Sequence, residues 1–495
     1  MDRLSPTSRY EFMIHTYGCK VNTYDTGLLQ RRLEAASGSS ALNKKTVAGP
    51  AHAPSLATPN VPRVHILNTC AVTAEATREA AKQVRRLKSK DPFSRIVVTG
   101  CGAQVDGETF DQMPGVDLVV ANSHKGLLER LLDEMFKGQL ESKVYRSNIF
   151  RKEDLEAGGG IEQGHTRTFL KIQDGCNSFC TYCVIPFARG KSRSIPVREL
   201  IQRINELAHQ GVQEFVLTGV HIGDYEDQVG EKKLFLHDLV REILAKTSVP
   251  RIRLSSLEPP ELTDELMALF QNSRLCPHFH MSIQSANTEI LRGMKRRYSA
   301  KDVEEALLKI RRQIPNAFIG MDVIVGFPGE TAEHFADTYQ RLERSPWSRI
   351  HVFPYSERPG TKAAKFEGSV DRAERVLRSQ RLRDLSSLRL EAEARRQMGQ
   401  LKRALILNSP GREATGLTHD YWPVQVDSIA DLSAFVGREV NVEIIGYVAP
   451  GESRMDGFLK ARLVDVGIGV VDVAANDLAN VAASDAANFA AKDFV

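Results

Sequence analysis

Short apolar runs alternate with longer amphipathic stretches along most of this chain. Up to Tyr145 the runs are Glu11–His15, Val64–Leu67 and Arg95–Thr99, which lead into Thr16-Tyr17-Gly18-Cys19, Asn68-Thr69-Cys70 and Gly100-Cys101-Gly102. Helical patterns intervene, with Ala74–Lys88 the clearest. This alternation predicts a parallel sheet of the α/β type. All strand C-terminal ends of such a sheet share one edge, where ligands collect. Cys19, Cys70 and Cys101 are therefore expected to converge on one metal site.

From Thr168 the units lengthen. The predicted strands are Thr168–Gln173, Glu214–Thr218, Arg251–Leu257, His278–Gln284, Phe318–Val325 and Ile350–Phe353. After the first of them, Val197, Leu200, Ile201, Ile204 and Leu207 fall on one helix face. Six such units suit an open, partial (β/α) barrel better than a flat sheet, with the active site at the strand C-terminal ends. Asp371–Arg403 reads as one or two charged helices, with ten Lys/Arg against five Asp/Glu, mostly a solvated face. Arg403–Leu407, Tyr421–Val426, Glu439–Ile445 and Phe458–Val464 then form a small β-barrel pattern, a shape used to hold RNA. The expected organisation is multidomain α/β. It comprises an N-terminal domain over 10–145 with a Gly38–Pro62 surface insertion, a linker over 146–167, and a barrel with its following helices over 168–397. A small β-barrel over 398–466 and a low-complexity tail over 467–495 complete it.

A length of 495 residues allows about three domains, and 42% hydrophobic residues is ample for their cores. A net charge of +4 is compatible with a nucleic-acid partner without requiring one. The N-terminus lacks an apolar signal region, and no run approaches the ~18–20 apolar residues of a membrane span. A cytoplasmic protein with no membrane association is expected. Seven cysteines, an odd number, argue for reduced thiols in metal binding or catalysis rather than a disulfide framework.

Three of those cysteines are packed into Gln173-Asp174-Gly175-Cys176-Asn177-Ser178-Phe179-Cys180-Thr181-Tyr182-Cys183. The C-x3-C-x2-C spacing lets Cys176, Cys180 and Cys183 each bind one iron of a [4Fe–4S] cubane, leaving the fourth iron open. A zinc knuckle is the competing reading, but zinc wants a fourth ligand at matching spacing, and the neighbouring histidines are His165 and His209. At other strand ends Gly219 lets a ligand approach the backbone, while Glu258, Gln284 and Asp322 can bond its polar groups. Tyr421 and Trp422 either stack a base or fill the small barrel.

Taken together, a C-x3-C-x2-C loop after a barrel strand, three strand-end cysteines upstream and a small barrel downstream resemble the radical S-adenosylmethionine methylthiotransferases. The likeness covers about residues 10–465. Tyr17-Gly18-Cys19-Lys20-Val21-Asn22, Asn68-Thr69-Cys70-Ala71-Val72-Thr73 and Gln173-Asp174-Gly175-Cys176-Asn177 are similar to the subgroup that modifies threonylcarbamoyladenosine beside the tRNA anticodon. The isopentenyladenosine subgroup tends to have Gln-Met after its first cysteine, and the ribosomal-protein subgroup Pro-Lys-Asn. The resemblance implies an N-terminal cluster-binding domain, a radical barrel and a TRAM domain. It also implies that Cys176, Cys180 and Cys183 hold a cluster that cleaves S-adenosylmethionine, with Tyr182 against the adenine. Cys19, Cys70 and Cys101 would hold a second [4Fe–4S] cluster carrying the sulfur. Position 37 of a tRNA would be the target, served by a flavodoxin- or ferredoxin-type electron donor and a sulfur donor. Arg296 and Arg297, in a segment similar to the family's, join Tyr421 and Trp422 as expected RNA contacts.

Overall fold

The structure is a computed structural model that describes residues 10–37, 61–152, 166–428, 431–450 and 457–465. Most of the predicted insertion, much of the linker and the whole tail lie outside the described residues.

The N-terminal strands β1 (Glu11–Thr16), β2 (Arg63–Thr69), β3 (Arg95–Gly100), β4 (Leu118–Ala121) and β5 (Val144–Tyr145) form one parallel sheet in that order. Register sets Thr16 beside Asn68 and Thr69 beside Gly100, so the strand ends line one edge. Alternation along the strands builds two cores. Ile14, Ile66, Val97 and Val120 face Leu29, Leu33 and Leu131, and on the other side Leu67, Val98 and Val119 face Ala80, Val84 and Phe110. The helix α1 (Lys20–Ser37) starts directly after Cys19, and α2 (Ala74–Lys90) is capped by Thr73, whose hydroxyl accepts the Ala76 N–H at 3.2 Å.

Two parallel sheets make the central region. One runs in the order Arg251–Leu254, Glu214–Thr218, Arg167–Lys171, and the other Ser256–Leu257, His278–Gln284, Phe318–Val325, Arg349–Pro354. Only Ser255 separates Arg251–Leu254 from Ser256–Leu257, so the strands succeed one another in space in chain order. The predicted strand Thr168–Gln173 is broken at Ile172. Gln173-Asp174 instead pairs with Arg193-Ser194, which anchors both ends of the cysteine loop. The charged segment is one helix, Arg372–Arg395, and it is not simply a solvated face. Arg375 is buried and donates to the Tyr355 carbonyl at 2.9 Å, and buried Arg378 donates to that of Glu330 at 2.8 Å.

The C-terminal strands Leu401–Asn408, Glu413–Thr418, Pro423–Asp427, Phe458–Asp465 and Glu439–Val448 close into a barrel. It docks onto the N-terminal ends of the central strands through one buried carboxylate. Glu214, 0% exposed, accepts Arg167 Nε at 2.6 Å, Arg251 Nε at 2.8 Å and Arg253 Nη2 at 3.0 Å. Arg251 also donates to the Leu417 and Thr418 carbonyls at 3.1 and 3.0 Å and to Glu439 at 2.6 Å, all in the barrel.

Candidate active site

Cys19, Cys70 and Cys101 follow β1, β2 and β3 directly, and glycine makes their approach possible. Gly18 has φ 96°, and a Cβ there would lie 2.7 Å from Cys70 Sγ. Gly100, with φ 93°, turns the chain into Cys101 where a Cβ would lie 2.5 Å from the Thr69 carbonyl. Only glycine takes that conformation without strain in so little space. Asn22 ties the loops together, donating to the Tyr17 carbonyl at 2.7 Å and that of Thr69 at 3.2 Å. Burial, with Cys19 and Cys101 adding repulsion, pushes the Cys70 thiol up to about 12. Burial also raises Cys101, against the pull of Arg189.

The second trio sits on the loop between Gln173-Asp174 and Arg193-Ser194. Cys176 N–H donates to the Gly190 carbonyl at 3.1 Å and Cys183 N–H to that of Cys180 at 3.0 Å. Two side chains from loops distant in sequence reach these sulfurs. Arg296 Nη1 lies 3.3 Å from Cys180 Sγ and donates to Glu258 at 2.8 Å. His221 Nδ1 lies 4.0 Å from Cys176 Sγ, while its Nε2 meets Glu261 and stands 3.5 Å from Glu258. Burial alone would raise the Cys176 thiol, but hydrogen bonds from His221 and from Ser178 bring it below its ordinary value. Cys183, with no such cation in contact, is pushed by burial up to about 12.

The two trios share a buried ion network. Arg189, six positions after Cys183, donates to Asp174 at 2.9 Å, to Asp25 at 3.1 Å and to Asn22 Oδ1 at 2.6 Å. Lys171 reaches Asp25 at 2.7 Å and Asp174 at 3.1 Å, and Lys125 reaches Asp25 at 3.3 Å. Burial opposes ionisation of Asp25, but Lys125, Lys171 and Arg189 hold its carboxyl well below the usual range.

Several expected site residues lie elsewhere than the sequence suggests. Tyr421 and Trp422, 8% and 3% exposed, pack between the C-terminal barrel and the central strands. Tyr421 stacks on His278 at 3.8 Å, and Trp422 meets the edge of Phe318 at 5.1 Å. Arg296 is turned inward to Glu258 and Cys180, whereas Arg297 is exposed. Tyr182 packs against a cluster that includes Met294, Phe327 and Tyr355. Gly219 lies against Gln173, whose side-chain oxygen accepts the Val220 and His221 N–H groups at 3.1 and 3.0 Å. Gln284 has φ 62°, and Asp322 is 2.9 Å from His280, away from the Glu258–Arg296 pair. His221, Arg189 and Asp25 were not foreseen, because their partners are remote in sequence and nothing local marks them.

The donor set fits iron–sulfur ligation. All seven thiols are free, and burial opposes three thiolates in one place unless a cationic group binds them. Among the described residues, the three-ligand groups compact to within 4.8 Å are Cys176–His221–Asp224 and His221–Glu258–Glu261.

Two family models match the chain: the radical SAM superfamily over residues 170–342, and uncharacterized protein family UPF0004 over residues 11–121. A threonylcarbamoyladenosine tRNA methylthiotransferase MtaB from Aquifex aeolicus is 34% identical over 423 residues, covering 85% of this chain and 98% of that one. One of the same name from Rickettsia prowazekii is 32% identical, covering 91% and 97%. A tRNA-2-methylthio-N(6)-dimethylallyladenosine synthase from Desulfotalea psychrophila is 30% identical, covering 73% and 80%. Among solved structures, the radical S-adenosylmethionine methyltransferase TsrM from Kitasatospora setae, with cobalamin and a [4Fe-4S] cluster bound, has TM-score 0.50 at 14% identity. It covers 72% of this chain and 77% of that one, a likeness of fold.

Proposed function

The chain belongs to the radical S-adenosylmethionine methylthiotransferase family, and from that premise we propose that it converts N6-threonylcarbamoyladenosine at position 37 of tRNA, 3′ of the anticodon, to its 2-methylthio derivative. The family's cofactors are S-adenosylmethionine and [4Fe–4S] clusters, which supply the radical and the transferred sulfur when bound. Cys176, Cys180 and Cys183 would hold the cluster that meets S-adenosylmethionine, and Cys19, Cys70 and Cys101 the cluster that carries sulfur. The observation that carries this division is the arrangement of six free thiols in two trios, one after the strands β1 to β3 and one on a single loop, with Arg189 bonded to groups beside both. The central strands are read as an open (β/α)6 barrel and the C-terminal five-stranded barrel as TRAM-like. Their boundaries are those expected from sequence, 168–397 and 398–466.

The protein's own groups position rather than react. Arg296 and His221 bring positive charge to Cys180 and Cys176, which favours the thiolate form. Gly219, Glu258 and Tyr182, with Gln284 and Asp322, are the residues proposed to meet S-adenosylmethionine. The MtaB-named relatives support the threonylcarbamoyl substrate, and the Desulfotalea relative marks isopentenyladenosine as the second reading. A cytoplasmic location, a flavodoxin- or ferredoxin-type reductant and a separate sulfur donor complete the proposal. Among the described residues no helix is long and apolar enough to cross a membrane. Nucleoside mass spectrometry of tRNA from a deletion strain is the test. The 2-methylthio-N6-threonylcarbamoyladenosine signal should vanish, and its persistence refutes the substrate assignment.

A further inference from the structure

A cavity lies between the starts of three central strands, the residue after Cys19 and the C-terminal barrel. The non-protein space between them, about 500 Å3, includes open solvent. Its polar lining is Lys20, His278, His280, Arg349, His351 and Tyr421, with burial lowering the His278 and His351 imidazoles below their ordinary value. Lys20 stands 5.9 Å from the centre of the Phe169 ring and forms no ion pair with any described residue. The acid in reach, Asp322, is taken by His280 at 2.9 Å. His278 is 4% exposed, and its Nδ1 has no hydrogen-bond partner among the described residues. The Tyr421 phenol registers the local field. Burial would raise it, yet Lys20, Arg167 and Arg253 lower it below its usual value.

An uncharged alkenyl substituent entering this space would leave the Lys20 ammonium and the His278 ring nitrogen facing hydrocarbon. Leaving such groups unpaired costs more than the lost contact itself, and that is how a polar pocket rejects an apolar analogue. A carboxylate with neighbouring hydroxyl and carbonyl groups would satisfy both. Lys20 follows Cys19 in sequence, so the same turn that presents the cysteine presents the cation. Resting on the threonylcarbamoyladenosine reading, we propose that this cavity receives the N6 substituent of the target adenosine, with Lys20 pairing to its carboxylate and His278 bonding its polar chain.

The test is fluorescence anisotropy of cluster-loaded enzyme with four anticodon stem-loop RNAs. They carry at position 37 threonylcarbamoyladenosine, its neutral threonine-amide analogue, isopentenyladenosine or plain adenosine. Wild type should bind the carboxylate RNA on the order of tenfold tighter than the amide. Lys20→Gln should abolish that ratio, and Lys20→Arg should restore most of it. A ratio in Lys20→Gln equal to wild type overturns the pocket while the substrate assignment stands. Equal wild-type affinity for the threonylcarbamoyl and plain RNAs overturns the substrate assignment and the pocket with it. Should Lys20→Gln lose iron, His278→Phe, which keeps the stack on Tyr421, decides. It should lower the preference for the threonylcarbamoyl over the isopentenyl RNA severalfold, and an unchanged preference refutes the assignment.

Discussion

Replacing Glu214 with glutamine should unfasten the C-terminal barrel from the central strands. The carboxylate is fully buried and is shared by Arg167, Arg251 and Arg253, with hydrogen bonds from 2.6 to 3.1 Å. Without it, Arg251 keeps Glu439 at 2.6 Å, an acid that Arg403 also meets at 3.4 Å. Removing one partner of a buried ion pair costs about 3–5 kcal/mol, since the other charges stay buried and uncompensated. That is a large share of a typical domain stability of ~5–15 kcal/mol. Both tryptophans are placed to report it, with Trp422 at the barrel contact and Trp347 in the central core. In urea unfolding of the metal-free protein, Glu214→Gln should lower the transition of the Trp422 signal by that amount. Arg253→Met should cost less, and the double variant less than the sum. The acid limb gives a second arm. The three arginines hold Glu214 well below its ordinary value against burial. Its contribution is therefore present above the unfolded carboxyl value of about 4.3 and is lost as pH falls through the folded value. Glu214→Gln should flatten that loss. A midpoint change worth under ~1 kcal/mol, or an unaltered acid limb, refutes the argument.

Anaerobic reconstitution should load about eight irons per chain, four for each cubane. The Cys176/Cys180/Cys183 triple alanine variant should retain about half of them, and near-unchanged iron would remove those ligands from consideration. The Cys19/Cys70/Cys101 triple variant should lose methylthio transfer and still cleave S-adenosylmethionine under dithionite. Arg189→Met leaves Asp25 and Asp174 short of a shared partner. It should cost about 3 kcal/mol and speed amide exchange around Asn22, leaving the C-terminal barrel unchanged; equal exchange rates would show that the network does not join the two regions.

The sequence was most readable where local composition and tertiary role coincide. Glu214–Thr218, His278–Gln284 and Phe318–Val325 match the expected bounds because buried parallel strands demand continuous apolar runs. Strands β4 and β5, four and two residues long, are too short to register a pattern. Glu413–Thr418 is hidden by Gly416, a poor strand former present because a Cβ there would stand 2.6 Å from the Leu405 carbonyl. The placement of Cys19, Cys70 and Cys101 after β1, β2 and β3 was legible because strand ends in a parallel sheet share one edge. The groups that serve them were not. Arg189 meets Asn22 across 167 positions, and His221 meets Glu261 across 40. Arg296 and Tyr421 show the limit of residue type as evidence, for cationic and aromatic side chains suit RNA on a surface and suit an ion pair or a stack inside.

The network around Arg189 is hard to explain by stability alone. Two acids, Asp25 and Asp174, face three cations, Lys125, Lys171 and Arg189, all with side chains no more than 13% exposed. Apolar residues of the same volume commonly hold an interface as well as a buried ion network does. They cannot fix register by directional bonds, nor leave a net positive charge beside thiols. Arg189 does both. Its bond to Asn22 sets the position of α1, and thus of Cys19, against the loop that carries Cys176, and its charge draws Cys101 toward the thiolate. A substrate reacting with groups held by both trios needs a constant distance between them, since a small misplacement of reacting partners costs orders of magnitude in rate. On the proposed division of the two trios, the ion network is the part of the fold that makes them one site.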